Sequence, residues 1–243
     1  LLLNQKPFHK SSYINYRKIK TLGKSITVQN QKAIVLGISG ASGMIYAVRS
    51  LKFLLNNNYN VDLVASKAAM MVWQSENNIA MPSNLRSQEQ FWRDQSDSQS
   101  GKLVCHQWGD VGATIASGSF RTFGMLVIPC SMATVAKIAH GLSSDLLERA
   151  ADVHLKEGRR LVIVPRETPL SLIHLRNLTT LAEAGARIVP ATPAWYHNPK
   201  TIEDLVDFVI ARALDQLDID ADLIQRWQGR IPANIAAGEP QES

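Results

Sequence analysis

A chain of 243 residues with 45% hydrophobic, 19% charged and 7% aromatic side chains can bury one sizeable core, and it is too apolar for a disordered chain or a collagen-like fibre. Two widely separated cysteines without a CxxC speak against a zinc site or a disulfide-stapled fold, and no apolar run approaches the ~20 residues of a membrane-spanning helix. The net charge of +5 is concentrated at one end: residues 1–61 hold nine Lys and Arg and no acid, whereas the remaining 182 hold 17 basic and 21 acidic groups, so a nucleic-acid-binding patch across the body is not supported.

Residues 1–32 are basic and aperiodic, which predicts a disordered extension or an organelle-targeting segment. Leu1, Leu2 and Leu3 fall far short of the ~7–15 apolar residues of a secretory signal. The expected location is therefore cytoplasmic, or an organelle if the tail directs it there. From residue 33 the pattern changes. An apolar run at 33–38 (AIVLGI) predicts a strand, followed by a Gly- and Ser-rich turn at 39–43 and a helix through Leu55. Residues 61–66 (VDLVAS) predict a second strand and 67–74 a helix; 81–100, polar and rich in Ser and Gln, reads as a surface excursion. Further strands are predicted at 125–129, 161–165 and 187–190, alternating with helices at 134–140, 145–157, 170–183 and 202–217. Short apolar strands between helices predict a single doubly wound α/β domain over 33–220, a Rossmann-like or flavodoxin-like parallel sheet with helices on both faces, followed by a tail at 221–243 that packs near the site or is disordered.

In such a sheet ligands sit where the carboxyl ends of strands lead into helix N-termini. Ser39 to Gly43, Ser66 with Lys67, Cys130 to Thr134, and Arg166 with Glu167 all fall there. The first of these turns lets backbone approach a ligand, and the helix start is expected to offer free N–H groups to a nucleotide or flavin. The spacing Gly37, Gly40, Gly43 invites a dinucleotide reading, but the second strand ends in Ser66 and Lys67 without the acid that holds the ribose of NAD, which leaves NADP open. Tyr196 and Lys200 match a YxxxK pattern, yet Pro193 and Pro199 place them in a loop, where that reductase chemistry is not built. Arg149 and Lys156 lie seven apart on one helix, able to pair with Asp145 or Asp152 or to meet an anion. Arg166 can hold a phosphate, or pair with Glu167 to stitch the loop. No HExxH or DDxxD pattern indicates a metal site.

Taken together, SGASG (39–43), SKAA (66–69), ASGS (116–119), IPCSMAT (128–134), LLERAADVHLKE (146–157), LVIVPRETPLS (161–171), WYH (195–197) and EDLVDFVIAR (203–212) resemble the flavin prenyltransferases of the UbiX/Pad family, over about residues 33–220. The resemblance implies a metal-independent enzyme that moves a dimethylallyl group from dimethylallyl phosphate to reduced FMN. Its product, prenylated FMN, would serve a UbiD-type decarboxylase, often in quinone biosynthesis. It also implies a homo-dodecamer with sites shared between subunits. By motif position, Gly40, Ala41, Ser42, Ser66, Ser131, Met132, Ala133, Thr134 and Arg166 resemble the flavin contacts. Arg149, Lys156, Tyr196 and Arg212 resemble the donor contacts. Glu167 resembles the proton carrier, Glu76 a supporting carboxylate, Ser42 the donor near N5, and Lys156 a catalytic cation; Trp227 would be a lid or part of the packed tail. Two departures stand out: Ser39 where Thr is commoner, and Val111 where some relatives carry an aromatic, with Trp108 nearby. The competing readings are an FMN-dependent decarboxylase on the same fold, for which the PxMNxxMW segment is missing, and an NADP-binding reductase or nucleotide sensor.

Overall fold

The computed structural model describes residues 33–226 and 229. Six parallel strands form one sheet: β1 (Ile34–Ile38), β2 (Asn60–Ala65), β3 (Lys102–His106), β4 (Gly124–Cys130), β5 (Leu161–Pro165) and β6 (Arg187–Ile188). Their order is β3-β2-β1-β4-β5-β6, so the winding reverses between β1 and β4. That reversal opens a crevice above the carboxyl ends of the two central strands.

The alternation of side chains along each strand divides the interior into two cores. Ile34, Leu36 and Ile38 of β1, with Leu63 of β2 and Val162 and Val164 of β5, meet the helices α1 (Met44–Asn56), α2 (Lys67–Asn77), α3 (Leu85–Ser96) and α7 (Ile202–Asp215). Val35, Met125, Val127 and Ile163 point the other way, into α4 (Met132–Ala139), α5 (Leu146–Lys156) and α6 (Leu172–Glu183). Strands buried on both faces explain the continuous apolar runs at β1, β4 and β5. Arg49 and Asp207 tie α1 to α7 through a two-pronged ion pair.

The segment 81–100 is not a surface excursion. It contains α3, capped by the Asn84 side chain, and leads into β3, which adds an edge to the sheet. The helix was illegible because only one stripe of it is buried. Trp92 is fully enclosed there and meets Trp73 of α2 at 5.2 Å edge-to-face, with Phe91 completing the cluster. The extra helix follows from the course of α2. Its first residues adjoin β1, since Ser66 N–H donates to the Ile38 carbonyl, and near its other end Glu76 meets the start of α1. Lying across the carboxyl edge throughout, α2 cannot return the chain, and α3 does so instead. Among the described residues no helix is long and apolar enough to cross a membrane.

Candidate active site

The crevice is built from the turns that leave β1, β2, β4 and β5. Fully buried Ser39 ties two of them together: its hydroxyl donates to the Pro129 carbonyl (3.2 Å) and accepts from Ser131 N–H (2.7 Å). Ser131 in turn caps α4, accepting from Thr134 N–H, and the two hydroxyls lie 3.1 Å apart. Met132 and Ala133 therefore begin the first turn of α4. Ser66 caps α2 by accepting from Ala69 N–H at 3.1 Å. Gly40 is required for closeness: a Cβ there would lie 2.4 Å from the Cβ of Ala68, so any side chain would push the first turn off α2. Ala41 is buried and Ser42 exposed at the mouth. Burial pushes the Cys130 thiol up to about 12, so it is an inert, neutral wall residue.

Two features change the expectation for this crevice. The N-terminus of α1 does not offer its first N–H groups to a ligand, because the Glu76 carboxylate accepts from Gly43 N–H (2.7 Å) and Met44 N–H (2.9 Å). A carboxylate at that position satisfies orphan donors and the positive end of the helix dipole. Glu76 is thus brought beside Ser42, as a cap that an anionic ligand would have to displace. Arg166 is not paired with Glu167. Its Nε is buried without a partner among the described residues, while its backbone N–H donates to the Cys130 carbonyl. A buried, unpartnered guanidinium N–H is costly, by about 1–3 kcal/mol or more, unless a ligand satisfies it. This is where the residues fit FMN, whose phosphate and ring carbonyls supply acceptors. Glu167, next in sequence, is exposed, and among the described residues its carboxylate accepts from the following Thr168 N–H (3.1 Å) alone.

The donor candidates lie elsewhere in the chain. Lys156 ends α5, paired with Glu157 at 2.6 Å and not with Asp152. It therefore sits near the amino end of β5, while Arg166 and Glu167 follow its carboxyl end; five strand residues separate the two by roughly 16 Å. Arg149 pairs with Asp152 (2.6 Å) and donates to the Ala116 carbonyl (3.3 Å), on the same face as Lys156. Tyr196 lies in the loop before α7, packed edge-to-face on Phe208, and Lys200 follows it in that loop. Arg212 lines a groove of about 570 Å³ between β6 and α7 with Phe208, Pro190 and Gln216, and pairs with Asp215 at 2.6 Å. Because α5 packs in one core and α7 in the other, the sheet stands between Lys156 and Arg212. Val111 is exposed, the Trp108 carbonyl accepts from Leu146 N–H, and Trp227 lies outside the described residues.

Sequence reasoning passed over three residues at the amino end. Buried His154 has its Nδ1 2.7 Å from the Ala150 carbonyl and its Nε2 2.8 Å from the Thr122 hydroxyl. A carbonyl only accepts, so Nδ1 carries the proton and Thr122 donates to Nε2. Burial, aided by the charge of Arg159, lowers this imidazole to about 4 and keeps it neutral. Arg159 donates to the carbonyls of Gly118 and Phe120. No spacing rule would have found the contacts to Thr122, Phe120 and Gly118, which lie 32 to 41 residues away.

The profile of the Flavoprotein family matches residues 23–214. A flavin prenyltransferase UbiX of Synechocystis sp. is 68% identical over 197 residues, covering 81% of this chain and 96% of that protein. The UbiX flavin prenyltransferase of Pseudomonas aeruginosa is 42% identical, covering 80% and 93%. The crystal structure of AnUbiX (PadA1) in complex with FMN and dimethylallyl pyrophosphate superposes with a TM-score of 0.72 at 42% identity, over 83% of this chain and all of that one. A dodecameric FMN-dependent UbiX-like decarboxylase from Escherichia coli O157:H7 gives 0.70 at 42% identity, over 81% and 100%. With its crevice at the β1/β4 reversal and an unsatisfied arginine in it, the chain belongs to the flavoprotein family and, within it, to the UbiX flavin prenyltransferases.

Proposed function

We propose that the protein transfers a dimethylallyl group from dimethylallyl phosphate to reduced FMN, producing prenylated FMN. The observation that carries this reading is the buried, unpartnered Arg166 Nε at the β1/β4 crevice, one residue before an exposed carboxylate. Reduced FMN is a substrate here: transfer breaks the allyl C–O bond and releases phosphate as N5 takes the freed carbon, and ring closure on C6 consumes the allyl double bond. Of the two protons given up by N5 and C6, one goes to the phosphate and one to the middle carbon of the former double bond. Arg166 with the hydroxyls of Ser66, Ser131 and Thr134 holds the flavin, the turn at Gly40 and Ala41 lies against it, and Ser42 donates near N5. Glu167 accepts the proton leaving C6 and passes one to the departing phosphate. Glu76 keeps the first turn of α1, and with it Ser42, in place.

Charge develops on the leaving phosphate, and fixed cations stabilise it where it forms. Lys156 and Arg149 from one copy, and Tyr196 and Arg212 from another, complete each site, consistent with the separation of these groups within one chain. A closed homo-oligomer such as a dodecamer provides that arrangement. A UbiD-type decarboxylase is the consumer of the product in this reading.

The test is anaerobic incubation of the purified protein with reduced FMN and dimethylallyl phosphate, with EDTA present, followed by mass analysis of the flavin. The expected product is FMN heavier by one five-carbon unit. Unmodified flavin would overturn the reading, and release of CO₂ from a carboxylic acid without an allyl donor would favour a decarboxylase.

A further inference from the structure

The densest set of polar contacts without an assigned role lies where α5 meets the segment entering β4. Four alternate residues of that segment are held in turn. The Ala116 carbonyl accepts from Arg149 Nε at 3.3 Å. The carbonyls of Gly118 and Phe120 accept from the two terminal nitrogens of Arg159, the second at 2.7 Å. The Thr122 hydroxyl donates to His154 Nε2 at 2.8 Å. The residues between them, Ser117 and Ser119, are exposed with their hydroxyls 2.9 Å apart. The turn they form is pressed onto the end of α5: a Cβ on Gly118 would lie 2.9 Å from Lys156 Nζ and 2.3 Å from Glu157 Oε1.

We propose that Arg159 is a positioning residue for the allyl donor, holding the 117–119 turn against Lys156 so that the ammonium meets the donor's phosphate in a fixed place. The inference rests on the reading of Lys156 as a phosphate ligand. Arg159 itself spends its donors on two backbone carbonyls and stands 3.8 Å from Glu157, the carboxylate that pairs with Lys156. A planar guanidinium presents its donors in a rigid fork that can fix two carbonyls two residues apart; an ammonium is a point charge on a flexible stem that imposes no such geometry. Without the fork the turn is free to lift, and Glu157 loses its second cation and competes more strongly for Lys156. Both effects loosen the grip on the donor phosphate, and more so as charge develops on it, which raises KM and donor Kd and lowers kcat.

The experiment compares wild type with Arg159→Met and Arg159→Lys in the full chain loaded with FMN. It measures kcat and KM for dimethylallyl phosphate, donor Kd by calorimetry, FMN affinity, oligomer size and amide hydrogen exchange. In Arg159→Met, KM and donor Kd rise about tenfold or more and kcat falls with them. FMN affinity and oligomer size hold, exchange quickens at 117–121 and not in β5, and Arg159→Lys falls between. Unchanged donor affinity despite faster exchange overturns the proposal. So does a joint fall of kcat, FMN affinity and assembly, the mark of a merely structural residue. Should Arg159→Met not fold, Thr122→Val releases the other end of the segment and must show the same loss of donor affinity with FMN affinity and assembly intact, smaller in size; its absence overturns the proposal. Calorimetry needs no turnover, so the two readings fail separately. A wild type that binds donor but transfers nothing defeats the reaction, whereas transfer with undiminished donor binding in Arg159→Met defeats the positioning alone.

Discussion

Glu167 stands beside an arginine that needs a ligand, yet it makes no ion pair of its own among the described residues. A proton carrier should be free in this way, whereas a structural carboxylate would be paired. Glu167→Gln should therefore leave FMN affinity within about threefold and lower kcat by about a hundredfold or more, as read by flavin titration and product mass analysis. His154 makes the opposite case. Its folded-state value, lowered to about 4 by burial, lies below the ordinary 6.5, so as pH falls the unfolded chain takes up the proton first. Stability is then lost from pH 6.5 downward, by up to roughly 2 kcal/mol on reaching pH 5. Urea unfolding of wild type should show that slope, and His154→Gln should flatten it. The sequence showed Glu167 through its motif and left His154 invisible, because a lone histidine on a helix carries no sign of what it packs against.

At the level of elements, the segment 81–100 shows how a polar helix hides. Gln, Ser and Arg dominate α3, and its contribution comes almost wholly from Trp92, buried between Trp73 and Phe91. Trp92→Ala should cost about 3–5 kcal/mol and, by loosening α2 beneath Gly40 and Glu76, weaken FMN binding as well. The Trp92 indole N–H has no partner among the described residues, so Trp92→Phe sacrifices area without breaking a hydrogen bond and should be milder. Chemical denaturation and flavin titration on the same samples check both. By contrast β1, β4 and β5 were legible nearly to the residue, since a strand buried on both faces must be apolar throughout. The capping serines Ser66, Ser131 and Ser171 went unread as caps, although each is a local partner of the backbone three residues on.

For the whole molecule, the proposed reading makes assembly part of catalysis, because the sheet stands between the helices that carry Lys156 and Arg212. Lys156→Ala and Arg212→Ala should each be inactive alone. Co-expressed in equal amounts, they should regain activity, up to about a quarter of wild type, because mixed sites can draw the intact Lys156 and the intact Arg212 from different copies. Mixtures that stay inactive while forming hybrid oligomers would show that each chain supplies both groups to one site. What the sequence determined by itself was the alternation of strands and helices, the glycine turn at Gly40 and the blocks of residues that mark a flavin crevice. These depend on neighbours within a few positions. Only the tertiary structure decided that Glu76, 33 residues from Gly43, caps α1, that Arg159 holds a turn 41 residues away, and that Lys156 lies near the amino end of β5 while Arg166 follows its carboxyl end. Periodicity reports which face of an element is buried; it carries no information on which distant group meets that face, because that choice is made by the packing of the whole chain.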